Sequence, residues 1–166
     1  LHLDFDQPCQ NMHQRPSQQR KRMLEWYPGD FASNNQELIN QLSLKGYDVE
    51  SRLSQLVNLP YLEENRKNHF IIANFLGLTG EAIDFLRANC SYVIYEHDHK
   101  YVKTRDPSYF EATDYVAPTE MLANTPLYRN AKAVICQSGL HARVVRDNLL
   151  LDNVVNMKCS LWGREE

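Results

Sequence analysis

The chain lacks an excess of either charge. Lys plus Arg total 18 against 21 Asp plus Glu, a formal net charge of −3. A general nucleic-acid binder carries a basic surplus, so that class is disfavoured. No apolar run approaches the roughly 20 residues needed to cross a bilayer. The amino terminus is acidic and Gln-rich, without the apolar stretch of a secretory signal. Together these predict a cytoplasmic protein with no transmembrane segment. The four cysteines, Cys9, Cys90, Cys136 and Cys159, have neither zinc-knuckle nor redox-dithiol spacing. Cys90 and Cys136 sit in or beside apolar runs, read as small buried hydrophobes, and the usage fits a reducing compartment. No internal repeat occurs. Neither a G-x-G-x-x-G turn after the first strand nor a Walker lysine loop is present, which weakens the dinucleotide and P-loop NTPase classes.

What is present suits one domain. The chain has 166 residues, 43 % of them hydrophobic and 10 % aromatic, enough for a core. Residues 1–19 have no clear period and read as a tail or disordered arm; His2, Cys9 and His13 are metal ligands only in principle. The basic cluster Arg20-Lys21-Arg22, with Arg15 nearby, reads as a solvated segment before the first strand.

From about residue 21 the chain alternates between strand and helix. Strands are expected at 22–27, 47–50, 69–75, 91–96, 131–136 and 154–157. Helices are expected between them: one capped by Ser33 or Asn34 and ending near Lys45-Gly46, one restarted at Pro60, one opening at Thr79-Gly80-Glu81, one from Thr119 and broken near Pro126, and one capped by Ser138. Residues 97–118 form a long polar connection expected on the surface. The alternation predicts an α/β fold: a three-layer, Rossmann-like, mostly parallel sheet of about six strands with helices on both faces.

The most informative stretch is Tyr92-Val93-Ile94-Tyr95-Glu96-His97-Asp98-His99. Four strand-favouring residues run into four titratable ones. In a parallel sheet the strand is buried while its carboxyl end opens on the crevice where ligands bind. Three strand ends share that edge. The first carries Pro28-Gly29-Asp30-Phe31, where glycine allows close backbone approach and the next helix offers free amides, or which is a plain tight turn. The second carries Glu96 to Lys100. In an extended segment Glu96 and Asp98 form one set, His97 and His99 the other. A histidine there exchanges protons or hydrogen bonds with a hydroxyl. A metal site and a structural network with Asp98 orienting a neighbouring histidine are the alternatives. The third carries Gln137-Ser138-Gly139-Leu140-His141. Ser138 is an expected N-cap, His141 one turn on either faces the same cleft or is a helix-surface residue, and no G-x-S-x-G elbow supports serine chemistry.

Several of these pieces, in this order, resemble one family. Pro28-Gly29-Asp30 before a helix, Gly46-Tyr47-Asp48-Val49, a strand ending in His97-Asp98, and Asn130 to Ser138 are similar to the amino-terminal domain of two-domain GT-B glycosyltransferases, the retaining group 4-type enzymes and their viral relatives. The resemblance spans residues 21–162; the usual Gly-Gly after the first strand is a single glycine here. It implies that residues 20–166 form a Rossmann-like, acceptor-side domain of a glycosyltransferase. It implies a nucleotide-sugar donor as co-substrate, an unknown acceptor, and no metal or other cofactor. A carboxyl-terminal donor-binding domain, in cis or in trans, would supply the nucleotide pocket. His97 and Asp98 are the implied catalytic pair. Gly29, Asp30, Glu96, His99, Ser138 and His141 are the expected substrate contacts. A non-catalytic α/β module binding a nucleotide or sugar is the alternative, and a metal-dependent hydrolase using His97, Asp98 and His99 a weaker third.

Overall fold

A computed structural model describes residues 20–25 and 31–158, with side chains from residue 35 onward. Gly29 and Asp30, Trp26 and Tyr27, and the expected tail lie outside the described residues.

The protein is α/β, the class that the alternation predicts. Among the described residues six strands, β1 (Arg20–Glu25), β2 (Asp48–Leu53), β3 (His69–Ile72), β4 (Ser91–Tyr95), β5 (Val134–Cys136) and β6 (Val154–Asn156), pair in the order β2-β1-β3-β4-β5-β6. Every pairing is parallel. Among the described residues five α-helices connect them: α1 (Phe31–Leu44), α2 (Leu59–Asn65), α3 (Gly80–Asn89), α4 (Thr125–Asn130) and α5 (Gly139–Leu149). Among the described residues no helix is long and apolar enough to cross a membrane.

Local chemistry sets the helix starts. The side chains of Asn58, Thr79 and Ser138 accept the orphan amides of Tyr61, Ala82 and His141 at 3.0, 3.2 and 3.1 Å. Pro60 and Pro126 sit in the first turns of α2 and α4, where a missing N–H costs nothing. Gly46 ends α1 with φ +82°, a conformation glycine adopts freely; its amide donates to the Ser43 carbonyl. Gly77 meets a different demand. A Cβ there would stand 2.8 Å from the Gln55 backbone nitrogen and 2.6 Å from Ser54 Oγ, so this loop packs only with glycine.

Alternation along the strands sorts the core. Phe70 and Ile72 of β3, Tyr92 and Ile94 of β4, and Val134 and Cys136 of β5 join residues of α2, α3, α4 and α5 in the larger cluster. Residues of the opposite parity, Ile71, Val93, Tyr95 and Ile135, join Leu38, Ile39 and Leu42 of α1 in a smaller one.

Three expectations change. Arg20-Lys21-Arg22 lies in β1 rather than before the first strand: all three pair with β2, and Lys21 and Arg22 pair with β3 as well. Central pairing outweighs the charge of these residues, because every backbone group in the middle of a sheet must be bonded. Helix α1 begins at Phe31, so Ser33 and Asn34 lie within it and do not cap it. The connection 97–118 is only partly superficial. Lys100, Tyr101 and Val102 are buried, and Tyr101 and Lys103 bond to Ala123 and Met121 at 2.7 and 2.9 Å. Two apolar residues sufficed to draw this stretch inward. The Tyr101 ring fills the space between His99 and Tyr128, with centroids 5.6 and 5.8 Å away.

Candidate functional site

Strands β4 and β5 are parallel neighbours, so Glu96 to Lys100 and Gln137 to His141 emerge on the same edge of the sheet. The turn after β4 is organised by Glu96, which is 1 % exposed. One carboxylate oxygen accepts the Asp98 amide at 3.0 Å, and the other accepts the Tyr128 hydroxyl. The Lys100 ammonium stands 4.0 Å from Glu96 and is bonded to Asp98, which also pairs with Arg105. Burial pushes the Glu96 carboxyl up, but Lys100, the Tyr128 hydroxyl and the neighbouring histidines together hold it below the usual carboxylate range. Burial, then Glu96, pushes the Tyr128 phenol well above its ordinary value. Two buried ions of opposite sign satisfy each other here, as burial of charge requires.

The chain then turns sharply. His99 has φ +54°, and Arg105 and Tyr115 follow at +58° and +66°. Left-handed backbone at residues other than glycine costs on the order of 1 kcal/mol each and needs support from its surroundings. Support comes from bonds of Val102 N to His99 O, Arg105 N to Val102 O and Tyr115 N to Phe110 O, each 2.9 Å. Asn148 fixes the far end: it donates to the Tyr115 carbonyl and accepts the Ala117 amide, both at 2.8 Å.

These three strained residues all line one pocket of about 350 Å³. One wall is the sheet edge and α5, with His99, Ser138, Leu140, His141 and Val144. The other is the connection, with Arg105, Asp106, Pro107, Ser108 and Tyr115. The rings of His99 and His141 stand 4.5 Å apart at 49°. His99 Nδ1 and the Tyr101 hydroxyl share a hydrogen bond at 2.8 Å, which leaves Nε2 for other partners. His141 Nε2 is buried and has no hydrogen-bond partner among the described residues. Burial, with His99 and Lys100 adding to it, pushes the His141 imidazole down to about 4. Burial also lowers His99, against the pull of Glu96 and Asp106. Both rings are therefore neutral at pH 7 and offer hydrogen bonds rather than charge.

The structure thus brings His99, Ser138 and His141 together in the pocket. It does not bring His97, Asp98 or Glu96 into its lining. His97 turns the other way from Glu96: its ring lies 4.2 Å from Tyr95, and its Nδ1 faces the Gln137 amide at 3.3 Å. Burial, then Lys100, pushes it to about 4. Glu96 and Asp98 share Lys100, as one set of the alternation would, but His97 and His99 part, because the chain bends at His97 and Asp98 and is left-handed at His99. Among the described residues no group of three or more His, Cys, Asp or Glu side chains is placed to hold a metal ion.

Sequence reasoning missed Arg105, Asp106, Ser108 and Tyr115, all in the connection. One signal was present. Asp106-Pro107-Ser108 is a helix-start pattern, and the Asp106 side chain accepts the Ser108 amide at 2.9 Å.

Comparison with known proteins gives no matching family model, no matching curated protein and no matching solved structure.

Proposed function

We propose that this chain is the Rossmann-like, acceptor-side domain of a GT-B-type glycosyltransferase, and that the pocket beyond β4 and β5 receives the acceptor. The observation that carries the reading is the pocket itself: a concave site at the carboxyl edge of a parallel sheet, lined by neutral imidazoles, hydroxyls and the first turn of α5. The strand order reverses direction between β1 and β3, and such switch points are where α/β sheets bind nucleotides. In this reading the donor approaches from that side. Strand β4 stands between β3 and β5, so His97 at its end lies between donor and acceptor. Neutral His97 then hydrogen-bonds the reacting sugar region, and Asp98, anchored by Lys100 and Arg105, positions the turn that carries it. A second domain, in cis or in trans, supplies the nucleotide contacts and stabilises the departing phosphate.

The test is sugar transfer from a panel of nucleotide-sugars with the complementary domain supplied. His97→Ala should lower turnover by about 10²- to 10³-fold with an unchanged melting temperature. Normal turnover in that variant removes His97 from the mechanism. The engagement of Asp98 by two cations favours a second reading, a non-catalytic sugar-binding module. Ligand binding without transfer, whichever domain is added, selects it.

A further inference from the structure

We infer that the pocket beyond β4 and β5 selects an uncharged, polyhydroxylated ligand, a free sugar or cyclic polyol, and rejects its phosphorylated counterpart, with Asp106 as the residue that discriminates. This rests on the acceptor role of the pocket and narrows it to a substrate class.

The charge pattern comes first. Among the described residues lining the pocket Arg105 is the one Lys or Arg, and it is paired with Asp98; the buried Lys100 is also bonded to Asp98 and faces Glu96. The two histidines on the pocket wall are neutral at pH 7 and add no positive charge. Asp106 is the remainder. It lines the pocket, and its carboxylate is held below the usual range by the Ser108 hydroxyl and amide. The positive end of α5 offsets only about half a charge. A phosphate entering here meets the Asp106 carboxylate, while the charge of the lining guanidinium is already balanced by Asp98.

Hydroxyl recognition fits the same lining. Adjacent residues Arg105 and Asp106 present donors and acceptors side by side. A guanidinium has five N–H donors, so its pairing with Asp98 leaves some for a ligand. A pair of vicinal hydroxyls donates to Asp106 and accepts from Arg105. His141 Nε2, buried without a partner, needs a hydrogen bond that a third hydroxyl can provide. Pro107, Leu140 and Val144 supply apolar surface for the C–H face of a sugar ring. The volume of about 350 Å³ sits at the small end of ligand sites, roughly 300–1,000 Å³, which suits one or two rings.

The experiment is a chemical-shift titration of the full chain at pH 7, read at His99, His141, Ser138 and Tyr115. The probes are D-glucose and myo-inositol against D-glucose 6-phosphate and myo-inositol 1-phosphate. At least one neutral probe should shift the pocket resonances, with its phosphorylated counterpart about tenfold weaker or more. Asp106→Asn keeps the helix-start oxygen and should narrow that gap. Equal or tighter binding of the phosphorylated probes overturns the inference. So does the absence of any pocket shift with the neutral probes up to their solubility limit, or an unchanged gap in a folded Asp106→Asn protein. Should that variant unfold, the wild-type comparison decides alone. Preference for the neutral probe in a protein that never transfers sugar upholds the selectivity and overturns only the transferase reading.

Discussion

The two faces of the sheet are covered unequally. Ile94 is 1 % exposed beneath the large cluster that α2 to α5 build, whereas its neighbour Val93 is only half-buried on the side of α1. At β6 the contrast is wider: Val154 is buried and Val155 is 48 % exposed. The same division continues past the end of β4. Glu96 points toward the crowded face and is locked by Tyr128 and Lys100, while His97 points toward the other and packs on Tyr95. On the crowded side the polar turn is held by buried, bonded partners. On the other side His97 meets the Tyr95 ring and the Gln137 amide.

The sharpest way to break this comparison is Glu96→Ala. It leaves Lys100 buried with one carboxylate fewer and Tyr128 without its acceptor, and should cost about 3–5 kcal/mol in denaturant unfolding. Glu96→Gln, which keeps an acceptor, should cost less. A cost for Glu96→Ala no larger than that of a surface substitution would mean that the network holds nothing in place.

Next in size is the pair Ile94→Ala and Val93→Ala, adjacent residues on opposite faces. The first should lose about 3 kcal/mol or more through transfer and cavity terms. The second should lose about 1 kcal/mol, since its side chain is only partly withdrawn from water. Equal losses would show that the second face is as tightly packed as the first.

Acid acts on the two largely buried imidazoles. His97 and His141 titrate near 4 when folded against 6.5 ordinarily. Below pH 6.5 the unfolded chain takes up protons that the folded one refuses, so stability falls as pH drops from 6.5 toward 4 and the loss levels off below that. Each ring contributes about 3 kcal/mol at most across that window. A melting temperature constant from pH 7 to 4.5 would place both rings in water instead.

The α/β class and the shared edge of β4 and β5 were legible in the residues. Tyr92 to Tyr95 could only be a buried strand, and Thr79 and Ser138 announced their helices through their caps. Half of the pocket was legible as well, in His99, Ser138 and His141. The other half was not. Arg105, Asp106 and Tyr115 lie in a stretch without period, and their place depends on left-handed turns that these residue types do not advertise. Tyr101 was hidden for a related reason: nothing near it in the chain reveals that its partner is Tyr128.

Local order, then, is what the amino-acid sequence determined by itself. Strand alternation, helix caps and the titratable run after β4 follow from side-chain sterics and backbone hydrogen bonding within a few residues of one another. Tertiary structure alone decided which of those titratable groups are locked in a buried network and which line the pocket. Glu96 looked like a ligand contact until Tyr128, 32 residues later, proved to be bonded to it. The charge and pKa of a group depend on what encloses it, and that enclosure is assembled from distant parts of the chain.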